Sequence, residues 1–182
     1  NIKDFLKLEF EGKIISDYFN EIIAKIGENI VLKKLHFIHN NNSNKIYTYT
    51  HNAYRENIGK ICVALNVQVE NDNPEASLLG KNLCMQIAAL KPLSIDIENL
   101  DKKIIEREKE IQLESIKSSG KEQSILTKIV EGKMNKFYSE VILLNQKYIL
   151  DDDKTVKNII DDYISKNGKF HIKDYSLFIL GS

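Results

Sequence analysis

The chain has 182 residues, 42% hydrophobic and 29% charged, with 26 basic side chains against 26 acidic ones. That length suffices for one large domain or two small ones, whose folding buries roughly 70% of the unfolded surface. A formal net charge of zero gives no polyelectrolyte footprint, which excludes nucleic acid as the expected main partner.

Ile15, Phe19, Ile22 and Ile26 recur at spacings of four, three and four. This predicts a helix over Ile14 to Ile26, stopped by Gly27 in a left-handed conformation. Ile30, Val31, Leu32, Leu35, Phe37 and Ile38 follow, β-branched and aromatic, and predict a strand. Asn40 to Asn44 read as a turn, because short amide side chains bond their own backbone. Ile46 to His51 and the period-two run Ile61, Val63, Leu65, Val67, Val69 predict two more strands, paired antiparallel through short links.

Asn73-Pro74 supplies an N-cap followed by proline at the first helical position. The helix runs to Leu90, is apolar on most sides and is therefore expected to be buried on most sides, until Lys91-Pro92 ends it. Leu100 to Ser118 and Glu122 to Phe137 are two helices separated by Ser118-Ser119-Gly120-Lys121. Their thin apolar stripes, with Leu126, Val130, Met134 and Phe137 on the second, suit a hairpin projecting from the body. Tyr148 to Leu150 is a short strand, Asp151-Asp152-Asp153 a turn and helix start, Val156 to Ile164 a helix closed by Gly168, and Phe170 to Leu180 one or two strands. Segregated strands with helices on one face predict an α+β fold. We expect residues 1–92 to form an N-terminal subdomain of helix, three-stranded antiparallel sheet and helix. Residues 93–182 form a second subdomain carrying the hairpin at 100–137.

No chemistry stands out. His36 and His39 lie three apart on a predicted strand and so face opposite sides, while His51 and His171 lack neighbours at ligand spacing, so no metal is expected. The Asp151–Asp153 run has no calcium-loop pattern and suits a helix N-terminus. GxxxxGK[ST], GxGxxG and GxSxG motifs are absent, so no cofactor, no direct nucleotide binding and no catalytic side chains are expected. Cys62 and Cys84 read as small reduced core residues without a basic neighbour in sequence. The sequon Asn41-Asn42-Ser43 has no secretory signal to give it meaning. No apolar run reaches the roughly 18 residues needed to span a bilayer, so no membrane partner is expected. The sequence opens on Asn1, which suggests a processed product or the ordered part of something longer.

Four segments in one order resemble the core of elongation factor Ts, the exchange factor for elongation factor Tu in bacteria and organelles. They are Ala24-Lys25-Ile26-Gly27-Glu28-Asn29-Ile30; Ile58-Gly59 leading into a hydrophobic strand; Leu83-Cys84-Met85-Gln86-Ile87-Ala88-Ala89 with Lys91-Pro92 after it; and Ile129-Val130-Glu131-Gly132-Lys133-Met134-Asn135-Lys136-Phe137. Asp153 to Val156 matches the family's lead-in to the last helix, and the resemblance extends from about Phe10 to Ile172.

The resemblance implies two sheet-plus-helix subdomains with an inserted coiled coil. It also implies a protein that grips elongation factor Tu and promotes GDP release by preferring the nucleotide-free conformation. Carried over by position, Ile58 and Gly59 match a loop that contacts the nucleotide domain, and Gln86 matches a helix position, His or Gln in relatives, that faces the partner. Met85 beside it is either a contact or a core methionine. Without the resemblance the same residues read as a strand-start core residue, a turn glycine and a solvent-facing amide. The sequence departs from the family at Asn52-Ala53-Tyr54-Arg55-Glu56-Asn57, longer and bulkier than the family's small glycine-containing turn. The family's N-terminal helical module and Thr-Asp-Phe segment belong before Asn1; if the chain is complete, the expectation is a binding remnant or chaperone of elongation factor Tu with weak exchange. The implied setting is a bacterial cytoplasm, or an organelle matrix or stroma in a mitochondrion or plastid.

Overall fold

The computed structural model describes residues 1–38, 44–116 and 122–181. The predicted turn at Asn40–Asn44 up to Ser43, the sequon, His39 and the Ser118–Lys121 link lie outside the described residues. The chain divides into two compact units, Asn1–His39 and Asn40–Ser182.

In the first unit, α1 (Ile2–Phe5) is capped by Asn1, whose Oδ1 accepts from the Asp4 N–H at 3.0 Å. A tight hairpin joins β1 (Glu9–Phe10) to β2 (Lys13–Ile14). Its two turn residues, Glu11 and Gly12, both have positive φ, which matches the right-handed twist of the strands. The predicted helix is present as α2 (Ile15–Ile26), ending at Gly27 with φ 72°. Its stripe is incompletely covered: Ile15 and Phe19 are half-buried, whereas Ile22 and Ile26 are exposed. The strand predicted over Ile30 to Ile38 is not formed, and residues 27–38 contain neither helix nor strand. Propensity supplies a willing backbone but not the neighbour whose N–H and C=O groups would complete it.

The second unit is built on a three-stranded antiparallel sheet in the order β3 (Asn44–Arg55), β4 (Ile58–Val69), β7 (Phe170–Ile179). Its third strand therefore comes from the C-terminal end of the chain. Tyr47, Leu65 and Tyr175 lie opposite one another across it, as do Tyr49, Val63 and Leu177, so one face is apolar at its centre.

On that face pack α3 (Pro74–Leu90) and α6 (Val156–Asn167). Asn73 caps α3 by accepting from the Ala76 N–H at 2.7 Å, with Pro74 in the first turn as expected. Leu79, Leu83 and Ile87 of α3 meet Val63, Leu65 and Val67 of the sheet and Val156, Ile160 and Tyr163 of α6 in a single core. Residues from both sides of Pro92 contribute to it. Gly80 sets how closely α3 approaches, because a Cβ there would lie 2.2 Å from the Tyr47 ring. The helix is buried over more than half of its circumference, from Ala76 to Ala88; along one flank Leu78 and Lys81 are exposed and Asn82 and Met85 half-buried.

The two helices α4 (Lys102–Glu114) and α5 (Gln123–Val141) carry their own small apolar cluster. Ile116, Val130 and Met134 are buried in it against Ile105, Leu126 and Phe137. Beyond α5 a 3₁₀ turn (Leu143–Asn145) leads into β5 (Lys147–Tyr148), which pairs with β6 (Asp151–Thr155). The acidic run thus lies in a strand instead of a turn, held at its two ends where Asp151 pairs with Tyr148 and Thr155 with Lys147. The helix start falls to Thr155, whose side chain forms a capping box with Asn158. The mixture of helices and small antiparallel sheets is the expected α+β class.

Candidate functional site

The residues implied by resemblance fall at one end of the sheet, where the β3–β4 ribbon passes the open flank of α3. Strand β3 is irregular here: pairing shifts between Ala53 and Arg55, and Asn52 and Asn57 adopt φ of 50° and 60°. Asparagine tolerates that conformation better than most residues. Gly59 faces this irregularity directly. An added Cβ would stand 2.5 Å from Thr50 Cγ2 and 2.8 Å from the His51 carbonyl oxygen, so only glycine lets the two strands close.

The closed ribbon presents Ile58, 59% exposed, beside a tip with Tyr54 at 66%. Facing the tip, Leu78 is 62% exposed and Met85 half-buried. Residues 53–57 and Leu78, Lys81, Asn82 and Met85 line an open cleft of about 580 Å³. Met85 therefore belongs to the cleft wall, and Ile58 and Gly59 follow the tip that forms the other wall.

Gln86 lies behind this surface. It is 0% exposed, neither a solvent-facing amide nor part of the open face. Its Nε2 donates to Gln146 Oε1 (3.2 Å) and to the Lys147 carbonyl (2.9 Å), and its Oε1 accepts from the Ile149 N–H (2.9 Å). Gln146 in turn donates to the Glu140 carbonyl at the end of α5 (2.8 Å). Two amides thus join α3, α5 and the β5–β6 turn, with the buried polar atoms of Gln86 paired.

Reactive groups are sparse. The buried Cys84 thiol donates to the Tyr47 carbonyl at 3.4 Å, and burial pushes its pKa up to about 12, so it stays protonated at neutral pH. Cys62 is half-buried. His51 is exposed and shares a hydrogen bond with Tyr49 Oη at 3.1 Å. Burial first, then Lys173 and Lys169, lower the His171 pKa. Among the described residues no three His, Cys, Asp or Glu side chains converge as a metal site, and no helix is long and apolar enough to cross a membrane.

The cleft residues Tyr54, Arg55, Leu78 and Lys81 were not reached from sequence. Leu78, Lys81 and Met85 at spacings of three and four were the available signal, but an apolar helix does not reveal which flank its neighbours leave uncovered.

Comparison with known proteins adds the family. The family model described as elongation factor TS matches residues 1–182. Elongation factor Ts of Paracoccus denitrificans (strain Pd 1222) is 39% identical over 145 residues, covering 80% of this chain and 47% of that protein. That of Ehrlichia ruminantium (strain Welgevonden) is 35% identical over 182 residues, covering 99% of this chain and 63% of that protein. That of Gluconobacter oxydans (strain 621H) is 33% identical over 150 residues, covering 82% and 49%. The chain spans between about half and two thirds of the length of these curated relatives. With a match along its whole length, this chain belongs to the elongation factor Ts family.

Proposed function

We propose that the chain is the body of a guanine-nucleotide exchange factor that binds elongation factor Tu and promotes release of GDP. It works where translation elongation takes place, in a bacterial cytoplasm or in the matrix or stroma of an organelle. The observation that carries this reading is the open cleft walled by Tyr54, Leu78 and Met85, with the exposed Ile58 following the glycine-closed tip, in a chain of this family. A monomer rarely leaves such groups together on a rigid element unless another protein covers them.

The chemistry asked of the protein is binding. A factor that prefers the nucleotide-free form of its partner lowers the affinity for GDP by its differential affinity for the two forms, and GDP weakens the factor's own binding equally. Ile58, Gly59 and Met85 are the proposed contact residues. Gln86 supports them from behind by fixing α3 to the β5–β6 turn.

Release of a fluorescent GDP analogue from elongation factor Tu, followed by stopped flow, tests the proposal. A release rate that rises with added chain and saturates is the expected result. A stable complex without acceleration leaves only a binding role, and absence of any complex removes both.

A further inference from the structure

We propose that a second cavity, between the 95–99 loop, α6 and the start of β7, is a site for a small aliphatic monocarboxylic acid. Its chain would lie on the apolar floor and its carboxylate between Lys173 and His171. The inference goes beyond the exchange reading and does not depend on it.

The cavity holds about 290 Å³ and shares no lining residue with the cleft at Met85. Its floor comes from Phe170 and Ile172, 2% and 6% exposed, with Ile160 beside them and Ile164 at the opening. Lys173 borders the same space as its neighbour Ile172, although regular strand alternation sends adjacent side chains to opposite faces. The register explains this: Asn66 pairs with Asp174 and Val67 with Ile172, so Lys173 is left without a partner on β4. A bulge of this kind bends the strand and re-aims the extra side chain, a device common beside binding sites.

Two acids also border the cavity, and donors of the chain itself engage both. Asp161 accepts from Lys157 Nζ at 2.5 Å. Asp96 Oδ1 accepts from the Asn99 N–H at 2.8 Å and from its Nδ2 at 2.7 Å. Lys173 has no ionic partner among the described residues. His171 is flanked by Lys169 and Lys173 on its own strand and by Asp96 on the loop, and it faces uncharged Gln68 on β4. What remains to be satisfied is one ammonium and one imidazole at the edge of an aliphatic wall.

That combination selects the ligand. An amine would be repelled by Lys173, and a phosphate dianion would leave the floor bare and meet Asp96 and Asp161 with twice the charge. A monocarboxylate with a hydrocarbon tail uses both parts. The volume lies at the small end of ligand pockets, which suits a short acid better than a nucleotide.

Hexanoate, hexylammonium and butyrate are the probes, followed by NMR through the ring signals of the chain's four histidines. Hexanoate should shift His171 and leave His51, exposed on β3, unmoved. Hexylammonium should shift neither. Each methylene withdrawn from the floor should raise Kd about fourfold, so butyrate should bind about fifteenfold more weakly than hexanoate. A bound carboxylate favours the imidazolium and raises the His171 pKa, so affinity should rise as pH falls through the value of the free protein, which burial and the two lysines hold below the ordinary one.

Lys173→Glu, at an exposed position, should abolish the hexanoate shift, and Lys173→Arg should keep it. Ile164→Trp, which fills the opening, should weaken hexanoate at least tenfold while the His171 signal itself remains in place. Equal response to hexanoate and hexylammonium overturns the inference, as does a Kd for butyrate equal to that for hexanoate, which marks an adventitious anion contact only. A hexanoate shift that survives Lys173→Glu, or the absence of any His171 shift in the unaltered chain, overturns it as well. Nucleotide release from elongation factor Tu is measured without these probes, so either reading can fail while the other stands.

Discussion

Gln86 permits the sharpest test, because family position and structure suggest different work for it. Replacing it by leucine keeps the approximate volume and removes both polar ends. Gln146 Oε1, the Lys147 carbonyl and the Ile149 N–H then each lose a partner lying within 3.2 Å. Leaving a buried polar group unpaired costs about 1–3 kcal/mol. Ile149 is itself exposed, so water can reach the turn, and the lower figure for each of three groups gives about 3 kcal/mol. For a domain of this size that lowers Tm by about 6–12 °C. Thermal unfolding by circular dichroism and urea titration should agree, with a lower midpoint and an unchanged m value. Gln86→His, which retains part of the pairing, should lose less. If Gln86→Leu unfolds within about 2 °C of the unaltered chain while affinity for elongation factor Tu collapses, the amide is a contact group uncovered by rearrangement, and its bracing role is refuted.

Other substitutions probe the remaining argument. Gly80→Ala gains up to about 1 kcal/mol of helix propensity but drives a methyl into the Tyr47 ring; overpacking of about 1–3 kcal/mol should prevail, and a rise in Tm would mean α3 sits further from the sheet. Gly132→Ala meets nothing within 4 Å, so it should stabilise α5 by about 1 kcal/mol, measured by urea midpoint; destabilisation would contradict the open surroundings. Thiol labelling near pH 8, read by mass spectrometry, should modify Cys62 first and reach Cys84 only on unfolding, since a thiol at about 12 holds almost no thiolate there. Replacing Lys102–Asn135 by a short linker should leave the β3–β4–β7 core folded, because Ile105, Ile116, Val130 and Met134 pack in a cluster separate from it; loss of cooperative unfolding would make the hairpin part of the core.

What could be read in advance was local. The four-three-four spacing around Ile15, the Asn73-Pro74 start and the alternation from Ile61 to Val69 each encode an element through its own residues, and each formed. Ile30 to Ile38 has strand composition but no strand, because pairing depends on a neighbour. The sheet's third member, β7, lies about a hundred residues beyond β4 in sequence, a distance no periodicity spans. Asp151–Asp153 misled because acidity before a helix is a favourable charge pattern, whereas the hydrogen bond that starts α6 belongs to Thr155.

The candidate site divides in the same way. Ile58, Gly59, Met85 and Gln86 came from resemblance, and the backbone contact that demands glycine at 59 required three dimensions to see. Gln86 illustrates the limit, since a polar residue on a helix gives no sign of whether water or another amide will satisfy it. Arg55 and Lys81 are ordinary surface cations in a list of residues and become notable only when both border one cleft.

The division of labour around α3 has an evolutionary consequence. Positions 79, 80, 83, 84, 86 and 87 are inside, against sheet, α6 or the β5–β6 turn, while 78, 81 and 85 face outward on the cleft side. The outward set can drift to follow a changing partner without disturbing the inward set, and the inward set can be held by stability alone. A single helix thereby separates heritable variation in recognition from the constraint of folding.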